Sequence, residues 1–243
     1  MILNIKQTQF GAEPEFEIED TATGETLAKC TSLNHISTEI VFAGQNAYTL
    51  SFEPVLQEKE GEKNELIYSI LEHNRPVGGL YTAEVCQKKI LFVSVGYDYY
   101  KIQFYDREYQ LYEIGLGTDR HYLCLYQDGQ TVAIVHKPTE VKSHLDTYTV
   151  YLENAQYRDI ACIAALFIDG LEYSSNDEIA DSAIKEEYLS FNKELNSKFD
   201  AAFLERVRTN KYVKNALPQA ASIFVIRVRS EGGLNCCLVC RQG

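Results

Sequence analysis

The chain has 243 residues, 45% hydrophobic and 12% aromatic, with 17 Tyr and no Trp. This composition suits a folded protein with a real core and excludes wholesale disorder. A formal net charge of −12 excludes nonspecific binding to nucleic acid or anionic membrane over the whole surface, because both need clustered positive charge.

The start, Met1 to Lys6, opens straight into an alternating segment and lacks the basic start, long apolar stretch and small-residue cleavage site of a signal peptide. Cys30, Cys86, Cys124 and Cys162 sit singly inside apolar patterns, where a free thiol behaves as a small hydrophobe. Both features predict a reduced, cytoplasmic protein.

From residue 1 to about 155, apolar residues recur with a period of two in about twelve short runs, the signature of an antiparallel sheet with one buried face. Phe16 and Ile18, then Ile36, Thr38, Ile40 and Phe42, then Tyr122, Cys124 and Tyr126, then Tyr148, Val150 and Leu152 are examples. Hairpin turns are expected at Asp20 to Gly24, at His73 to Pro76, and at Asp128-Gly129, a dipeptide suited to positive φ. The charged run Gln57 to Glu65 reads as an exposed loop.

The period changes after 155. Tyr157 to Asp169 holds the continuous apolar run Ile160–Ile168 with an Asp at each end. Ala favours helix, and Asp159 is placed to cap the first-turn amides. A helix apolar on every side must be surrounded by protein, and the run is about half of what a membrane span needs. The expected fold is therefore mainly β, an antiparallel closed barrel of about twelve strands around a central hydrophobic helix at 157–173. Residues 174–243 form a helical and basic C-terminal extension, with an amphipathic helix expected at about 178–196, a short one around Phe203, Leu204 and Val207, and a β-like run at Ile223 to Arg229.

The run Tyr148 to Leu152, the helix 160–168 with its closing Asp169, and the hairpin Leu123 to Tyr126, Asp128-Gly129, Thr131 to Val135 together resemble the tubby-like fold. That group includes tubby C-terminal domains, phospholipid scramblases and LURP-one-related proteins, in which a twelve-stranded barrel encloses a hydrophobic helix. The likeness is best over 75–173 and implies a fold, with lipid binding as the function that the resemblance implies. In the family the helix usually closes the domain, whereas this chain continues through residues 174–243.

Motifs that carry chemistry are sparse. Cys236, Cys237 and Cys240 include a Cys-x-x-Cys, but a structural zinc site needs four ligands and no second pair lies nearby. Gly115-Leu116-Gly117 has Arg120 where a dinucleotide fingerprint needs its third Gly, and reads as a hairpin. The five His, at 35, 73, 121, 136 and 144, are isolated and default to surface or turn positions, with His136 the one to inspect for an inward orientation. No cofactor is called for.

The sharpest feature is charge. Residues 201–243 carry seven basic side chains against two acids, a net +5 that leaves −17 on residues 1–200. Arg206, Arg208, Lys211, Lys214, Arg227 and Arg229 are the candidate ligand-binding residues, for an anionic lipid or an acidic protein surface; the competing reading docks them on the acidic barrel. The expectation is a noncatalytic binding or scaffold module with no nucleic-acid partner and no transmembrane segment. The alternative is a hydrolase-like enzyme whose carboxylates and His are assembled by the fold, recognisable by buried acids or His within hydrogen-bond reach in a cleft.

Overall fold

The structure, a computed structural model, describes residues 1–33, 37–42, 46–59, 62–90, 93–116, 121–138, 141, 143, 145–173, 192–216, 225–227 and 237–239. Twelve strands run in chain order: β1 (Ile2–Gln9), β2 (Glu15–Asp20), β3 (Thr26–Leu33), β4 (Ser37–Phe42), β5 (Ala47–Lys59), β6 (Glu62–Glu72), β7 (Arg75–Ile90), β8 (Val93–Phe104), β9 (Arg107–Gly115), β10 (His121–Gln127), β11 (Gln130–Lys137) and β12 (Thr147–Leu152). Each pairs antiparallel with its neighbours in sequence, and β1 closes on β12 with Ile2 opposite Tyr151 and Lys6 opposite Thr147. The sheet is a closed barrel, which leaves its strands no free edge.

The turns follow local chemistry. Asp128 (φ 52°) and Gly129 (φ 75°), like His73 (φ 47°) and Asn74 (φ 62°), are both left-handed, as a two-residue hairpin compatible with strand twist requires. Asp20 accepts from the Ala22 amide at 2.7 Å, and Gly24 takes φ 71° before β3. The charged run 57–65 is not a loop. Both strands of the β5–β6 hairpin run through it, with Glu58 opposite Lys63 and Lys59 opposite Glu62.

Every strand sends residues into one continuous buried cluster, from Leu3 and Ile5 on β1 to Val150 and Leu152 on β12. Helix α1 (Arg158–Ile168) belongs to that same cluster, with Ile160 to Ile168 all buried. Phe167 meets Tyr68 and Tyr100 edge-on, at 5.4 and 5.0 Å between ring centroids. A 3₁₀ turn (Ala155–Tyr157) precedes α1, and a π-turn (Asp169–Tyr173) follows it.

The expected cap is elsewhere. Tyr157 occupies the N-cap position of α1 without a side-chain bond, and Asn154 caps the 3₁₀ turn through Gln156. Asp159 instead accepts from Asn46 and the Tyr48 hydroxyl at 3.2 Å and from Arg158 at 2.8 Å, so its carboxylate ties the helix start to β5.

A second buried cluster lies on the opposite strand face. Tyr112, Ile114, Tyr122, Cys124, Ile134 and Tyr151 are covered there by α2 (Lys193–Asn196) and α3 (Ala201–Ala216), through Leu195, Phe203, Leu204 and Val207. Strand β10 is consequently buried at five consecutive positions, His121 to Leu125, with Leu123 and Leu125 in the first cluster and Tyr122 and Cys124 in the second. The amphipathic helix expected at 178–196 falls mostly on 174–191, outside the described residues; only the short α2 lies within its C-terminal end. Strands β13 (Val225–Arg227) and β14 (Cys237–Val239) form a separate two-stranded sheet.

Candidate functional site

Two places gather polar chemistry. The first grows out of strand periodicity. Along β9, β10, β11 and the approach to β12, the row that carries Leu111, Leu123, Val135 and Tyr148 in the core continues by steps of two onto Glu113, His121, Lys137 and Asp146. Lys137 and Asp146 are buried and pair with each other, their side chains 3% and 4% exposed. The Lys137 ammonium also lies 4.8 Å from the Tyr148 ring centre and 4.2 Å from that of Tyr173. Tyr148 donates to Asp169 at the end of α1, and burial, then Asp169, raises its phenol well above the ordinary value. His121, 2% exposed, has Nδ1 2.8 Å from the Tyr173 hydroxyl and Nε2 2.8 Å from Glu113 Oε1.

Beside this cluster lies a cavity of about 380 Å³ lined by Glu84, Asp98, Tyr97, Tyr100, Glu113 and Glu172, with Gly96 and Leu195. Burial, and the neighbouring Glu113, raise the Glu172 carboxyl, an effect that His121 partly offsets. Burial and the surrounding carboxylates, Glu113 first, raise the Tyr100 phenol.

The second place is the seam between barrel and extension. The α2–α3 segment is anchored by the Tyr126 hydroxyl, which donates to the Lys198 carbonyl at 2.6 Å, and by Tyr97, whose hydroxyl donates to Glu194 at 3.4 Å. Asp200 caps α3 by accepting from the Phe203 amide at 2.9 Å. A cavity of about 460 Å³ opens between this segment and the β10–β11 hairpin, bordered by Tyr126, Gln130, Thr131, Glu153, Asp200 and Arg206 among others.

No protein-family model, curated protein or solved structure matches the chain. The site rests on geometry alone.

The sequence-predicted basic residues are not all brought together. Arg206 lines the seam cavity, 3.6 Å from Asp200. Arg208 donates to the Tyr151 hydroxyl at 3.3 Å and lies 5.2 Å from that ring's centre, so it serves as a docking contact between α3 and β12. Lys211 and Lys214 stand on the C-terminal half of α3 and Arg227 on β13; their side chains, and Arg229 altogether, lie outside the described residues. At 3.6 residues per turn, Arg206 and Arg208 stand on opposite sides of α3.

His121 corrects an expectation: it is buried and bonded, not a surface or turn residue. His136 does not face the first cluster. It is half-buried, shares its strand face with Ile134, and tilts against Tyr122 with ring centres 5.1 Å apart. Cys30, Cys124 and Cys162 are buried free thiols, raised by desolvation, whereas Cys236 and Cys240 lie outside the described residues. Among the described residues no group of three or more His, Cys, Asp or Glu is placed to hold a metal ion. No described helix is long and apolar enough to cross a membrane.

Proposed function

We propose that the protein is a noncatalytic binding module of tubby-like architecture in which α1 occupies the interior of the barrel and the ligand is taken on the outside. Support for the filled interior is the shared cluster, to which all twelve strands and Ile160–Ile168 contribute. A packed interior leaves the surface as the place for recognition. The ligand is an anionic lipid surface, met by the positive charge of the C-terminal extension.

One observation carries this reading: α3 is fastened to the barrel through Phe203, Leu204, Val207 and Arg208. Docking holds the start of a +5 segment at one place on a −17 body, and such a polarised charge distribution orients a molecule toward an anionic surface. Removing residues 201–243 would uncover the apolar face under α3, so the test uses the full chain. Wild type is expected to co-sediment with vesicles containing phosphatidylserine, in a salt-sensitive manner. A variant with Lys211→Gln, Lys214→Gln, Arg227→Gln and Arg229→Gln should stay in solution; equal pelleting of the two would remove the extension from the account.

The enzymatic reading keeps one supporting observation, the His121–Glu113 contact of 2.8 Å behind a cavity that Glu113 itself lines. In that reading Glu113 acts as the general base and His121 positions it. Hydrolysis of p-nitrophenyl acetate that is abolished by Glu113→Gln, with the fold intact, would favour it over the binding module.

A further inference from the structure

We propose that the seam cavity is a binding site for a small zwitterion of the α-amino-acid class, its carboxylate held by Arg206 and its ammonium group by Glu153. The cavity, about 460 Å³, falls within the size range of small-molecule sites. Its walls come from three parts of the chain: the β10–β11 hairpin with Gln130 and Thr131, Glu153 just after β12, and the α2–α3 segment with Asp200 and Arg206.

Opposite charges on different walls are the feature that selects the ligand. Asp200 already has a structural task, accepting from the Phe203 amide. Its other oxygen stands 3.6 Å from the Arg206 guanidinium, too long for a hydrogen bond, so this contact consumes none of the fork of donors that suits a carboxylate. Glu153 is exposed on the barrel side and offers an acceptor to an ammonium group. Tyr126, Gln130, Thr131 and Phe199 also line the cavity.

A ligand carrying only one charge would leave one pole unanswered. One with both charges bridges the barrel to the extension and fastens the α2–α3 segment more firmly. This inference does not depend on the anionic-lipid reading, whose test leaves Glu153 and Arg206 intact.

The experiment is calorimetric titration of the full chain with the standard free amino acids, followed by the N-acetylated and the carboxamide derivatives of whichever binds best. Saturable binding is expected for a subset of free amino acids. Loss of either charge on the ligand, and each of Glu153→Gln and Arg206→Gln, should weaken it by about tenfold or more. Hydrogen exchange of the α3 amides should slow on saturation. Arg206→Lys, which keeps the charge without the fork, gives a second variant of intermediate affinity. Absence of binding by every amino acid, a neutral derivative binding as tightly as its parent, or unchanged affinity in folded Glu153→Gln and Arg206→Gln proteins would each overturn the proposal.

Discussion

Lys137 is a cation sealed in the protein, and its neighbours explain why it is tolerated. Asp146 neutralises it, and the rings of Tyr148 and Tyr173 lie against its ammonium group. Breaking such a pair strands the other charge: Lys137→Met should destabilise the protein by about 3–5 kcal/mol, while Lys137→Met with Asp146→Leu should cost less than the two single changes added together. Urea denaturation of the four proteins measures both. Tyr148→Phe withdraws the donor from Asp169 and should cost about 1–3 kcal/mol.

Glu172 gives a pH signature. Its carboxyl is held above the ordinary range in the folded protein, so folding takes up protons between the ordinary and the raised value. The stability it contributes is present at low pH and is lost as pH rises through the raised value. Glu172→Gln should therefore gain in Tm relative to wild type as pH rises from the ordinary carboxylate range through the raised value; a difference that stays constant with pH would contradict this assignment. His121, Lys137 and Asp146 were legible only in part. Each extends an apolar period-two row by one step, which is a readable signal. That the three rows end side by side depends on strand register, and isolated spacing does not encode it.

Among the elements, β7 and β8 approach so closely at Gly78 that an added Cβ would lie 2.0 Å from the Gln103 carbonyl oxygen. Gly78→Ala should cost about 1–3 kcal/mol through backbone displacement, measurable as a lowered denaturation midpoint. α3 is held by a narrow apolar contact, in which Phe203 is fully buried. Phe203→Ala should cost about 3–5 kcal/mol if α3 unfolds with the barrel; exchange of α3 amides at unchanged global stability would show instead that the extension opens by itself. The strands, the Asp-Gly hairpin and the apolar helix were readable because side-chain period and turn chemistry are local. The hairpin at 57–65 was not, because charge reports solvent contact and leaves backbone conformation open. The role of Asp159 was missed for a related reason: its partners Asn46 and Tyr48 are brought to it by the barrel.

For the whole molecule, closure of β1 on β12 removes sheet edges, and two buried clusters on opposite strand faces leave β10 and β11 each buried at five consecutive positions. The mainly β class and the closed antiparallel barrel were legible from repeated alternation. The second cluster was legible only as an apolar stretch at 203–207, since nothing in that stretch says which strand face it covers. The division of charge between residues 1–200 and 201–243 was plain in the sequence, but the partners of Arg206 and Arg208 emerge only from the docking of α3. The central proposal is that α1 fills the barrel and folds as one unit with it. Native-state hydrogen exchange across a urea series tests it most directly: amides of Ile163–Ile168 should exchange only through global unfolding, with the same denaturant dependence as the paired amides of β1 and β12. Exchange of the helix through a smaller, separate opening while those strands stay protected would contradict it.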